Sequence, residues 1–149
     1  MLAEDTLIDA IMETRQQIDF LWQFFMTVQI AVFALLLIYD EAVDNLSSGA
    51  RALAMVAIAL FTAINGNALR QTYLLLDAMM DQYRVLYGQV ERFQPKFYEQ
   101  FVLASFADRP DVVLVTHGLA FAAVVVALIL SRHFRRASAD PSTRRSANK

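Results

Sequence analysis

Three long stretches of the chain contain no formally charged side chain. They cover residues 20–39, 52–69 and 112–131 of the 149 residues. Because a helix rises about 1.5 Å per residue, each stretch is roughly 27–30 Å long as a helix, which matches the hydrocarbon core of a bilayer. The sequence therefore predicts an all-α integral membrane protein with three transmembrane helices.

The apolar residues of the first stretch belong to a longer repeating pattern. From Leu7 through Phe25 to Tyr39, and with Thr14 included, they recur at alternating steps of three and four residues, and Asp19 does not interrupt the pattern. This spacing is typical of helices that pack side by side. We therefore expect one continuous helix from about residue 4 to Tyr39, with its first four turns outside the bilayer.

The same spacing runs along the second stretch and continues well beyond it. Inside the stretch the repeating positions are mostly small, as at Ala59, Thr62 and Gly66, because close backbone approach drives helix association in lipid. Beyond Arg70 they are large, because burial of large side chains drives association in water. These large residues are expected to form a helix-packing or partner surface: Tyr73, Leu76, Met80, Tyr83, Tyr87 and Val90.

The large positions predict a helical extension over residues 70–93. We expect this extension to pack against the first helix beyond the bilayer, as an antiparallel coiled-coil-like hairpin. The alternative is a break near Gly66 or Gly88, after which the distal part lies flat on the membrane as an amphipathic helix. Pro95 is expected to follow the end of the extension, because proline cannot continue a helix.

A short apolar segment, the third span and a polar tail complete the chain. Residues 97–107 are too few to span a bilayer, and we expect a short helix that either returns along the hairpin or holds its aromatic side chains in the headgroup region. Pro110 is expected in the first turn of the third helix. Residues 137–149 are small, polar and basic. We expect them to be disordered, so that residues 1–136 form a single membrane domain.

The composition removes several classes of function. The chain has no cysteine, which excludes disulfides, thiolate metal sites and a cysteine nucleophile. A formal net charge of −2 gives no overall attraction to nucleic acid, so no nucleic-acid partner is expected. No nucleotide-binding, metalloprotease or serine-hydrolase motif occurs in the sequence. The chain is therefore expected not to be an enzyme, because one intramembrane histidine has no nucleophile or paired acid beside it.

Uncharged polar residues of the three stretches fall at one depth. They lie roughly 5–15 Å inside the bilayer, counted from the side that holds the N terminus. We call these residues the polar layer: Gln23, Thr27, Gln29, Thr62, Asn65, Asn67, Thr116 and His117. Polar groups in lipid must find partners. The layer is therefore expected either to fasten the helices together or to line an ion or proton path in which His117 titrates.

His117 has a further candidate role as a haem or metal ligand. The second histidine, His133, lies sixteen residues further along the same helix, so the two cannot ligate one haem. A haem at His117 would need a ligand from a partner chain, and no other cofactor is expected. Outside the membrane, Asp77 and Asp81 are four residues apart on one helical face, where they either share a divalent cation or simply face solvent.

Basic residues favour one orientation in the membrane. With three spans, seven of the thirteen Lys and Arg residues lie on the side of the C terminus. Basic residues close to a span favour the cytoplasmic side, so we expect a cytoplasmic C terminus. In the absence of an organelle-targeting segment, the expected location is a bacterial inner membrane. Three residues that follow the third span are expected to contact lipid headgroups: Arg132, Arg135 and Arg136.

Two classes of function remain. The first is a small accessory, scaffolding or assembly subunit that packs with itself or with a larger membrane complex, surrounded by membrane lipid. The second is a homo-oligomeric ion channel or pore with an uncharged polar constriction. The constriction would consist of Gln23, Asn65, Asn67 and His117. These side chains act as a fastener if they face one another inside one chain, and they line a pore if they face a symmetry axis.

Overall fold

The computed structural model describes residues 3–38 and 45–138, with side-chain surroundings described up to residue 129. Within these ranges the chain is helical and contains no strand. Helix α1 runs over Glu4–Ile38, α2 over Ser48–Tyr87 and α3 over Arg109–Ser138. Each of the three is long and apolar enough, by length and composition, to cross a membrane. This confirms the predicted all-α fold with three membrane-length helices.

Helices α1 and α2 are much longer than a bilayer is thick. They contain 35 and 40 residues, which correspond to about 52 and 60 Å against about 30 Å of hydrocarbon. The two helices are antiparallel neighbours. Glu4 at the start of α1 accepts a hydrogen bond from Tyr83 near the end of α2, and Trp22 of α1 donates to Tyr73. α1 is continuous as expected up to Ile38, and Tyr39 lies outside the described residues.

The buried faces of α1 and α2 follow the predicted spacing over most of their length. Among the predicted large positions, Leu76, Met80 and Tyr83 are fully buried, while Tyr73 and Tyr87 are half-buried. Val90 differs, because it lies beyond α2 and is 57% exposed. Most of this surface therefore serves packing inside the chain. The core combines residues of all three helices and of the segment before α3: Leu7, Ile11, Ile18, Leu69, Leu76, Met80, Tyr83, Val102 and Val113.

Helix α2 ends at Tyr87, which corrects the extension expected over residues 70–93. The chain leaves the helix at Gly88, whose N–H still bonds to the carbonyl oxygen of Arg84. A Cβ atom at Gly88 would lie 2.5 Å from that oxygen. Glycine permits this close turn because it has no side chain to obstruct it. The helical extension is therefore shorter than the hydrophobic spacing predicts.

Residues 88–108, which we call the connector, return along α1 and α2. They contain a 3₁₀ turn at Val90–Arg92, a helical turn at Pro95–Phe97 and a π-helical turn at Tyr98–Val102. Val102 is fully buried in the core, and Phe101 packs edge-on against Tyr83. Of the two expected positions for residues 97–107, the return along the hairpin is the one found. The expected helix over 97–107 is wrong beyond Val102.

Side chains of α2 explain why the helical part of the connector stops. Arg84 donates to the carbonyl oxygens of Val102 and Ala104, at 3.0 and 3.3 Å. The Phe106 N–H donates to the Asp77 carboxylate at 2.7 Å. Backbone groups that would continue a helix are thus bonded to α2 instead. These hydrogen bonds keep the end of the connector out of a helix. The chain then enters α3, which has Pro110 in its first turn as expected.

Two predictions concern the C-terminal end of the chain. The disordered tail was expected over residues 137–149, of which residues 137 and 138 belong to α3 and the rest lie outside the described residues. The side chains of Arg132, Arg135 and Arg136 also lie outside the described part of the chain. Their contact with lipid headgroups stays a prediction.

Candidate functional site

The centre of the polar layer is a contact between α2 and α3. Nε2 of His117 lies 2.9 Å from Oδ1 of Asn65, and both side chains are buried. Asn65 also donates through Nδ2 to the carbonyl oxygen of Leu21 on α1, at 3.4 Å. One amide and one imidazole therefore join all three helices at a single depth.

The hydrogen-bond partners of His117 limit which of its ring nitrogens carries a hydrogen atom. Its Nδ1 lies 2.9 Å from the carbonyl oxygen of Val113, and its Nε2 faces the oxygen of Asn65. A neutral imidazole has one N–H and so satisfies only one of two acceptors. Because the Asn65 NH₂ group is directed at the carbonyl oxygen of Leu21, the Asn65 oxygen faces the ring, and an N–H on Nε2 completes the bond between the two side chains.

Aromatic rings and a glycine enclose the imidazole. The ring of Phe25 on α1 is stacked on it with centroids 3.9 Å apart, and the ring of Trp22 lies 5.6 Å away. Gly66 of α2 lies against another part of the ring, because a Cβ atom there would be 3.2 Å from His117 Cδ2. The small residue at position 66 thus serves close approach of a side chain from α3. No sequence signal distinguishes this role from ordinary helix packing.

Other members of the polar layer do not join this contact. Thr27, Thr62 and Thr116 each donate to the carbonyl oxygen four residues earlier in their own helix, at 2.8 Å. Gln29 is buried, and its Oε1 has no hydrogen-bond partner among the described residues. Gln23 and Asn67 are exposed on the outside of the bundle. The layer is therefore one connected contact with separate polar groups around it.

A second polar contact closes the far end of the α1–α2 pair. Glu4 accepts a hydrogen bond from the Tyr83 hydroxyl at 3.2 Å and pairs with Arg92 of the connector at 2.9 Å. Burial raises the pKa of the Tyr83 hydroxyl above its ordinary value, and the hydrogen bond and negative charge of Glu4 raise it further, while Arg92 lowers it. The carboxylate thus ties the first turn of α1 to α2 and to the connector.

Tyr83 makes the stability of this end depend on pH. Because its pKa is raised by folding, the folded chain holds the hydroxyl proton more tightly than the unfolded chain does. The stabilisation is complete below the ordinary tyrosine pKa of about 10 and is lost as pH rises through the raised value. We expect the wild type to lose more thermal stability than Tyr83→Phe between neutral pH and about pH 11. Circular dichroism melts at a series of pH values measure this, and equal losses would contradict it.

The carboxylates that were candidates for a cation have separate partners. Asp77 accepts from the Phe106 N–H, with the Ser105 hydroxyl 3.5 Å away, and Asp81 pairs with Arg84 at 2.7 Å. Within the described residues no group of three or more His, Asp or Glu side chains is arranged to hold a metal ion. His117 has its two nitrogens directed at Val113 and Asn65, so an axial haem bond would require it to leave one of them.

Two arginines that sequence reasoning did not single out hold the helices together. Arg51 is buried near the start of α2 and donates to the carbonyl oxygen of Leu128 on α3, at 3.2 Å. Arg84 holds the connector as described above. In the sequence Arg51 stands at the end of a polar segment, and Arg84 belongs to the charged face of the helical extension. Their partners are backbone carbonyls 77 and about 20 residues away, which no local pattern indicates.

Comparison of the chain with protein-family models, with curated proteins and with solved structures finds no match.

Proposed function

We propose that the chain is a small, non-enzymatic multi-pass membrane protein that acts as an accessory, scaffolding or assembly subunit. In this proposal α1, α2 and α3 cross the bilayer once each. The first turns of α1, the last turns of α2 and the connector stand outside it on one side. The protein acts through helix packing with itself or with a larger membrane complex.

The exposed apolar surface supports insertion into a membrane. Soluble monomers rarely expose large contiguous apolar patches. Here, large apolar side chains that are more than half exposed occur along each uncharged stretch: Phe20, Ile30, Leu37, Leu53, Ile64, Val115 and Leu119. We expect the chain to stay with membranes through an alkaline carbonate wash and to leave them only with detergent. Release by carbonate alone would contradict insertion.

The contact between Asn65 and His117 is the observation that carries the proposal. Two of the four side chains that would form a pore constriction are buried in one chain and bonded to each other. This favours the role of a fastener, in which interhelical hydrogen bonds fix the arrangement of membrane helices. A bundle fixed in this way offers a rigid surface to other proteins.

Exposed apolar residues outside the spans supply a surface for a partner. Most residues of the predicted packing surface are buried by contacts within the chain, so a partner has to bind other residues. Six large apolar side chains on the last turns of α2 and on the connector are more than 40% exposed. They are Leu74, Leu75, Val85, Val90, Phe97 and Leu103. Val85, at 82%, is the most exposed of them. Apolar exposure of this kind on a membrane subunit favours contact with another protein or with the membrane surface.

A charge at Val85 tests the docking surface. Val85→Glu adds a charge to an exposed position and should leave the melting temperature unchanged, while it weakens association with whatever co-purifies with the wild type. Gln16→Glu is the matched control, because Gln16 is also exposed outside the uncharged stretches but lies on α1, opposite its buried face. Quantitative mass spectrometry of gently solubilised, affinity-tagged protein measures the ratio of partner to bait. Equal ratios for wild type and Val85→Glu would remove Val85 from the proposed surface.

A homo-oligomeric channel is the alternative, and the exposure of Gln23 and Asn67 favours it. These two polar side chains lie on the outside of the bundle at bilayer depth, where a path between subunits would meet them. In this alternative Asn67→Leu abolishes ion flux into liposomes while the oligomer stays intact. Flux that persists in Asn67→Leu, or no flux in the wild type, would exclude it.

The proposal includes a location and an orientation. Basic residues after the third span favour a cytoplasmic C terminus in a bacterial inner membrane. Reporter fusions at the C terminus and in the connector test this. The expected result is cytoplasmic activity for the first and external activity for the second, and the reverse pattern would invert the topology.

A further inference from the structure

A groove of about 470 Å³ lies between α2 and α3 on the outer surface of the bundle. Its floor is formed by small residues of both helices: Ala59, Ala63, Gly66 and Gly118. At Gly118 an added Cβ atom would meet nothing within 4 Å. The space is therefore open where a side chain would otherwise stand.

The two ends of the groove differ in polarity. Ala59 and Phe121 line the apolar end, while Asn67 and Arg70 line the other. Ala59 and Arg70 are eleven residues apart on one helix, which is about 16 Å. Arg70 stands at the border of the uncharged stretch 52–69, so in the proposed membrane arrangement it lies at the level of the headgroups.

Arg70 lacks a counter-charge in the described part of the chain. It forms no hydrogen bond or ion pair with another described residue, and the two ion pairs found among those residues are Arg84 with Asp81 and Arg92 with Glu4. A guanidinium presents several N–H donors in a planar fork that suits a phosphate group. The polar end of the groove is thus complementary to an anion, and the rest of it to an apolar chain.

We propose that this groove binds one anionic phospholipid, with an acyl chain along the small residues and the phosphate at Arg70. Lipid tails are as apolar as the groove, so the tail gains little by leaving the bilayer. The charge of the headgroup therefore selects the occupant. The proposal rests on the membrane insertion proposed above and is independent of the accessory role.

A second copy of the chain fits the groove less well than a lipid does. In a two-fold symmetric dimer each chain presents the same patch to the other. If both chains cross the membrane in the same direction, the two Arg70 side chains meet at the same depth, and like charges repel. An anionic lipid instead supplies the negative charge that pairs with Arg70.

Lipid binding to the full-length chain in detergent tests the proposal. Native mass spectrometry compares phosphatidylglycerol and phosphatidylcholine with identical acyl chains. We expect the wild type to prefer phosphatidylglycerol about fivefold, as one Arg–headgroup attraction near a membrane surface predicts. Arg70→Gln should bring the ratio close to one. Arg109→Gln is the matched control, because Arg109 is exposed at the same end of α3 and does not line the groove, so it should keep the wild-type ratio.

Filling the groove tests where the lipid lies. Gly118→Leu should reduce the retention of both lipids severalfold, whereas Gly49→Leu should not, because Gly49 is a helical glycine with equal open space outside the groove. Melting temperatures establish that each variant is folded. If Gly118→Leu does not fold, the comparison of Arg70→Gln with Arg109→Gln decides the proposal. Equal loss of preference in Arg70→Gln and Arg109→Gln would overturn the proposal. Full lipid retention in Gly118→Leu, or a lipid-free dimer that this substitution dissociates, would also overturn it.

Discussion

Replacing His117 with alanine is expected to lower the free energy of unfolding by about 3 kcal/mol, one of the two largest effects we expect from a substitution in the bundle. The substitution removes a buried ring that is stacked on Phe25 at 3.9 Å. It also leaves the buried side chain of Asn65 without its partner on α3. Unfolding of the purified chain in detergent, followed by circular dichroism, measures the loss.

Leu119→Ala is the control for His117→Ala. Leu119 lies two residues away on α3 and is 67% exposed, so its truncation should change the free energy of unfolding by less than about 0.5 kcal/mol. Equal effects of the two substitutions would mean that the polar layer does not fasten the helices.

A double-mutant cycle isolates the hydrogen bond from the packing. His117→Phe keeps an aromatic ring against Phe25 and removes the bond to Asn65, and Asn65→Ala removes the other partner. We expect a coupling free energy between about 0.6 and 1.7 kcal/mol, the average and the maximum that such cycles give for interhelical hydrogen bonds in a membrane protein. Additive effects would show that packing alone holds this contact.

Leu76→Ala is expected to have the second large effect, a loss of about 2–5 kcal/mol in the free energy of unfolding. Leu76 is fully buried in the core outside the uncharged stretch, where it belongs to the same cluster as Ile11 and Val102. Its truncation leaves a cavity that the surrounding helices cannot fully close. Denaturation of Leu76→Ala and of the control variant Leu75→Ala, under identical conditions, measures the difference in the free energy of unfolding.

Leu75 provides the matched control on the same helix. Leu75 is 54% exposed, next in sequence to a buried leucine. Leu75→Ala should change the free energy of unfolding by less than about 0.5 kcal/mol. If Leu75→Ala destabilised the chain as much as Leu76→Ala, the assignment of the buried face of α2 would be wrong.

Much of the fold is predictable from the sequence because it depends on local patterns. Uncharged stretches give the membrane-length helices, and steps of three and four give the buried faces, as at Leu76, Met80 and Tyr83. Both patterns depend only on the pitch of a helix and on the sorting of apolar groups away from water. They act within a few turns, so a single sequence displays them.

The end of α2 and the form of the connector depend instead on contacts between distant residues. Arg84 and Asp77 bind backbone groups of residues 102–106, and these bonds compete with a continued helix in the connector. The pattern of hydrophobic residues does not indicate these hydrogen bonds between distant residues. The prediction of a helix over 97–107 therefore fails where tertiary hydrogen bonds replace local ones.

The polar layer shows the same limit. The depth of a residue follows from its position along a helix, and the sequence gives it directly. Its direction depends on rotation, and residues two apart, such as Asn65 and Asn67, point about 200° apart. One is buried against His117 and the other is exposed. Which member faces the bundle is determined only when the helices are packed.

The mass and composition of the complex extracted from its native membrane test the proposed role as a subunit. We expect the 16.8 kDa chain to be recovered at a fixed stoichiometry in an assembly, with itself or with larger and different chains, and without ion flux after reconstitution. A single chain with nothing bound would contradict the proposed role as a subunit. A homo-oligomer that conducts ions, and that loses conduction in Asn67→Leu, would replace it with the channel.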